Sequence, residues 1–151
     1  MSQKHYKKNQ GPTILEVLVV GTFKALWFLI SLPFKKSLRK KGMSSSDRIS
    51  IVAKKQEIEE LLSSENEYEL RHAVMEADKL VDHILKLKGY KGETFAERLR
   101  SAEDYIDRNT YQSIWEGHKV RNTLAHEQDA KIQQTDLKAA VINLLKYARN
   151  F

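Results

Sequence analysis

Cysteine is absent from this sequence. That excludes a disulfide framework and any thiolate metal site, and it fits a reducing compartment. Only His, Asp and Glu remain as side chains able to hold a metal. Proline is scarce: the two prolines, Pro12 and Pro33, both precede residue 35. From Ser45 onward neither proline nor strand alternation interrupts the chain, which removes the usual marks of an all-β or α/β fold. At 151 residues the chain fits one domain with a modest core and an appendage, not two globular domains.

Acidic charge is lacking in one part of the chain only. The net charge is +6, but residues 1–44 hold nine Lys and Arg against a single acid, Glu16, while the remainder holds 17 basic and 19 acidic residues. The high isoelectric point therefore belongs to the N-terminal segment. The rest offers no general basic field for a phosphate backbone, and any RNA contact there must be local.

The N-terminal segment divides into a basic tail (1–12), an apolar run (13–34) and a basic, polar linker (35–45). "TILEVLVVGTFKALWFLISLPF" carries only Glu16 and Lys24 as charges, and its length suits a bilayer span. Its Leu, Ile, Val and Phe side chains contribute about −4 to −7 kcal/mol on an insertion scale, against roughly +3 for the central Lys24. Two membrane readings stand, a single span and an anchor lying in the interface, and the span is preferred because the polar positions form no clean amphipathic face. A cleaved signal peptide fits less well: no small-residue cleavage site follows, and "SLPFKKSLRKK" resembles a stop-transfer flank. The heavier basic cluster lies after the run, which directs the C-terminal domain to the cytoplasm.

Residues 46–151 read as an all-α, antiparallel bundle of four to five helices. In the first helix Ile49, Val52, Ile58 and Leu62 form an apolar stripe, with Ser46 or Asp47 as N-cap. The clearest helix carries Leu70, Ala73, Val74, Ala77, Val81, Ile84 and Leu85 at intervals of three and four, and Gly89 stops it. A third segment places Phe95, Leu99, Ala102 and Ile106. The last opens with a Thr135 cap and aligns Leu137, Ala140, Val141, Leu144 and Leu145.

The fourth helix, Tyr111 to Glu127, contains "HKVRNTLAHE". At about 100° per residue, Ile114, Gly117, Val120 and Leu124 face the core. His118, Asn122 and His126, with Trp115 among them, share a flank turned away from it, and Arg121 stands at the border. Arg121 and His126 lie about 140° apart around the axis, so one regular helix does not aim them at the same spot. His118 and His126 are about 12 Å apart along the axis, too far for one metal ion. His72 and His83 read as surface positions.

"RNTLAH", Arg121 to His126, resembles the R-N-x-x-x-H form of the motif of HEPN domains (higher eukaryotes and prokaryotes nucleotide-binding), and the resemblance spans roughly residues 65–150. HEPN domains are all-α bundles with this motif near the end of a late helix. Their active members cleave RNA without a metal or other cofactor, typically as dimers that appose two motifs across a cleft. The resemblance implies Arg121, Asn122 and His126 as catalytic residues, a homodimer, and RNA as substrate. His126 would transfer protons at the ribose 2′-hydroxyl or the leaving 5′-oxygen, Arg121 would hold and stabilise the phosphate, and Asn122 would orient either. Attack by the 2′-hydroxyl leaves DNA inert.

Competing readings are structural. Arg121 pairs with an acid on a neighbouring helix, Glu76 or Asp78; His126 caps a helix C-terminus. Trp115 reads as interface packing before base stacking. His118 stands as an ancillary site residue or a solvated one, and Glu76, Asp78 and Asp82 either reach the cleft or form a charged outer face. Many HEPN-like domains are noncatalytic, which implies the alternative function of a membrane-tethered interaction module with a partner protein.

Overall fold

The computed structural model describes residues 42–127, 131–149 and 151. The tail, the apolar run 13–34 and the linker up to residue 41 lie outside the described residues. Among those described, no helix is long and apolar enough to cross a membrane.

Five α-helices and no strand make up the described residues: α1 Ser45–Leu62, α2 Glu67–Leu87, α3 Phe95–Ser101, α4 Arg108–His126 and α5 Gln134–Ala148, with a 3₁₀ turn at Glu103–Tyr105 after α3. The described residues are all-α, as the periodicity predicts. Helix α2 is central, packing against each of the other four helices. Its stripe of Leu70, Ala73, Val74, Ala77, Val81, Ile84 and Leu85 is fully buried, each Leu or Ile contributing about 2 kcal/mol. The predicted stripe of α5 is buried as well. Helices α4 and α5 run antiparallel: Lys146 donates to Ser113 and Asn143 to Glu116, while Gly117 meets Ala140 and Leu144.

Local chemistry fixes the helix ends. Ser44 is the N-cap of α1, not Ser46 or Asp47; Asp47 is the N3 partner of a capping box with it. Helix α2 ends in a Schellman motif, with Gly89 at φ 81°, the Tyr90 N–H donating to Leu85 O and the Gly89 N–H to Lys86 O. Thr94 and Glu97 form a second capping box at α3, and Asp107 caps α4. Thr135 is not the cap of α5: Gln133 holds that position without a side-chain bond. Gln134 instead reaches across to the carbonyl of Glu65.

The predicted face of α1 holds at Ile58 and Leu62 but not at Ile49 and Val52. Ile51 and Ile58 are buried, whereas Ile49 and Val52 are exposed. Toward its C-terminal end Leu61 and Leu62 also pack against the core, half-buried, while in the N-terminal half Ile51 alone is buried and the apolar pair Ile49 and Val52 leads the periodicity astray.

Glu76 ties α1 to α2. It is buried, and its carboxylate takes Lys54 Nζ of α1 at 2.8 Å and Lys79 Nζ at 2.7 Å. The hydrogen bond from Lys54, then that from Lys79, outweighs burial and holds the carboxyl down at about 2. A depressed carboxyl stabilises the fold above its unfolded value and loses that contribution as pH falls through its folded value. Glu76→Gln is therefore expected to cost about 1.5 kcal/mol at neutral pH, both lysines being partly exposed. The gap from wild type should close between about pH 4.5 and pH 2. Urea titrations of both proteins across that range check it; a gap independent of pH would show that the ion pairs contribute nothing.

Candidate functional site

The buried stripe of α4 is not quite the predicted one. Ile114 and Gly117 face the core, but the next buried position is His118, while Val120 and Leu124 are half-buried at its edge. His118, read as turned away from the core, is 7% exposed. The cause is packing on two sides: α4 meets α5 at Gly117 and α2 and α3 at His118. Ile114, Gly117, His118 and Arg121 thus follow the i, i+3, i+4, i+7 pattern of one face, with Arg121 at its outer end.

Three acids of α2 each engage a different helix. Glu76 meets α1, as above. Asp82 takes Arg98 Nε of α3 at 2.7 Å, with Lys86 on its other oxygen. Burial pushes its carboxyl up, but the bonds from Arg98 and Lys86 prevail and leave it below the usual range. Asp78 engages α4 through both oxygens: His118 Nδ1 lies 2.7 Å from Oδ1 and Arg121 Nε 3.5 Å from Oδ2. Glu76 and Asp78 are buried, so they do not belong to a charged outer face. Of the three, Asp78 is the one that pairs with the motif.

Aromatic rings complete this corner. Phe95, the first residue of α3, stacks on the His118 imidazole with centroids 4.0 Å apart and planes 9° apart. Trp115 is half-buried, edge-on to both Tyr111 and His118, with the Arg100 guanidinium 5.4 Å from its ring centre. Trp115 therefore packs within the bundle and carries a cation over its face.

The motif residues are drawn outward from this base. Arg121 keeps 32% of its side-chain surface, and its Nη1 donates to Asn122 Oδ1 at 3.1 Å. Its Nη2 has no partner among the described residues. His126 is the last residue of α4, exposed and without a hydrogen bond or ion pair among the described residues. His72 and His83 lie on the surface, as predicted. One chain thus brings Arg121, Asn122, Asp78 and His118 together and leaves His126 apart.

Sequence reasoning undervalued the pair Asp78 and His118. The signal was present: Asp78 continues the spacing of Val74, Val81 and Leu85, and His118 that of Ile114. A polar residue on an apolar stripe needs a buried partner, and each supplies the other. No family model matches this chain, and neither does any curated protein or solved structure.

Proposed function

We propose that this chain is an endoribonuclease of the HEPN type, a homodimer tethered to the membrane through residues 13–34, with its helical domain in the cytoplasm. The observation that supports this reading is the state of Arg121. Its Nε faces Asp78 and its Nη1 is used by Asn122, so the guanidinium is pre-oriented while a third of the side chain stays open to solvent. A planar fork held in this way suits a phosphate and the charge that develops on it during transfer.

The chemistry runs on protons and charge. His126 takes the 2′-hydroxyl proton, the 2′-oxygen attacks phosphorus, and the P–O5′ bond breaks to leave a 2′,3′-cyclic phosphate. Arg121 neutralises the phosphorane oxygens, and Asn122 holds Arg121 in place. Because Arg121 and His126 diverge around α4, the partner's His126 acts on the phosphate held by Arg121.

The full chain is expected to cut RNA but not DNA in the presence of a chelator, with Arg121→Ala and His126→Ala each lowering the rate about 100-fold or more while helicity is retained. Mixing the two inactive variants should restore part of the activity through hybrid dimers. RNA left intact by the folded wild-type dimer would sink this reading.

A second reading is favoured by Ile49 and Val52, which α1 exposes. It makes the domain a noncatalytic module that recruits a partner protein to the membrane, and inactivity toward RNA would leave it standing.

A further inference from the structure

We infer that His118 is the proton donor to the leaving 5′-oxygen and that Asp78 is its positioning residue; this rests on the ribonuclease reading. A carboxylate only accepts, so the 2.7 Å contact with Asp78 puts a hydrogen on His118 Nδ1, which donates to Oδ1. Phe95 fixes the ring plane from one face. Position, tautomer and plane of the imidazole are thereby set before any substrate arrives.

The remaining nitrogen is left for chemistry. Nε2 has no hydrogen-bond partner among the described residues, yet among them only the Tyr147 hydroxyl is a sealed polar atom without one. Nε2 therefore meets solvent, through part of the 9% of side-chain surface that His118 keeps.

Placement relative to the phosphate follows from the shared carboxylate. Asp78 holds His118 on one oxygen and faces Arg121 with the other, and the two side chains sit at i and i+3 on one face. The shared carboxylate and shared face bring His118 and Arg121 side by side, and the proposed role sets the phosphate held by Arg121 within reach of Nε2. In the reaction His126 receives the 2′-hydroxyl proton, the 2′-oxygen–phosphorus bond forms, the P–O5′ bond breaks, and protonated His118 gives its Nε2 proton to O5′. Exchange with water then returns both histidines to their starting states. The charged groups around His118 are Asp78 from α2, Arg121 from α4 and, from α3, Arg100 above Trp115 and Arg98 on Asp82. No charged side chain of α5 pairs with it among the described residues.

The test uses the full chain and two RNAs of one sequence, one with an ordinary linkage and one with sulfur replacing the 5′-bridging oxygen at the cleavage site. A thiolate leaves without being protonated. His118→Asn keeps an N–H toward Asp78 and removes Nε2. It should slow the ordinary linkage about 100-fold or more and cut the sulfur linkage at nearly the wild-type rate. Equal slowing of both, or slowing of neither, overturns the role of His118 while leaving the ribonuclease reading intact. A wild type that cuts neither removes both. Should His118→Asn fail to fold, the pH profile of the wild type decides: an alkaline fall in rate on the ordinary linkage should vanish on the sulfur one, and its persistence on both overturns the inference.

Discussion

Gly117→Val is expected to lower the melting temperature of the full chain by about 15 °C, equivalent to a loss of roughly 3 kcal/mol in a domain of this size. Gly117 lies directly against α5. A Cβ there would lie 2.5 Å from Leu144 Cγ and 2.8 Å from the Ala140 carbonyl oxygen. Leu144 is fully buried and has little room to rotate, and a backbone oxygen cannot move without its helix. The helices must therefore separate, and valine adds two further methyl groups to the clash. Gly117→Ala should cost less, because alanine returns about 1 kcal/mol of helix propensity. Thermal unfolding followed by circular dichroism orders the three proteins wild type, Ala, Val. An alanine variant as stable as wild type would mean that α4 and α5 do not need this approach. Helix α4 also carries His118 one residue and Arg121 four residues beyond the glycine, so on the proposed ribonuclease reading a shifted α4 should slow RNA cleavage even where the fold survives.

Helix α2 was legible because its apolar stripe from Leu70 to Leu85 is long and fully buried, with only Glu76 and Leu80 buried to one side of it. Helix α1 buries only Ile51 and Ile58, and the exposed Ile49 and Val52 suggest a different face. In α4 the pattern failed for another reason. Its contact surface turns from α5 toward α2 and α3, and two of its buried positions are a glycine and a histidine, residues that a search for apolar side chains passes over. The choice between Glu76 and Asp78 as partner of Arg121 follows from the same geometry. Asp78 shares a face with Val74, Val81 and Leu85, while Glu76 is turned to Lys54 of α1. The sequence thus offered Glu76 and Asp78 as candidate partners of Arg121. Which acid, and the buried histidine between acid and arginine, depended on how three helices meet.

Asp78→Ala should destabilise the full chain by about 3 kcal/mol, because it leaves the buried Nδ1–H of His118 and the Nε of Arg121 without their shared acceptor. The more informative protein is the double variant Asp78→Leu with His118→Phe. It replaces the polar pair by apolar groups of similar volume, and the new phenyl ring inherits the stack on Phe95. Exchanging a buried polar pair for well-packed apolar groups is often neutral or stabilising. The double variant should therefore recover most of the stability that Asp78→Ala loses, yet leave Arg121 without its orienting carboxylate and RNA cleavage at the level of Arg121→Ala. Urea denaturation and a cleavage assay on the same preparations read both quantities. Recovery of stability without activity would mean that Asp78 and His118 occupy apolar stripes for the sake of the site, at no benefit to the fold. A double variant as unstable as Asp78→Ala would reverse that conclusion and make the polar pair a requirement of the α2–α4 interface itself.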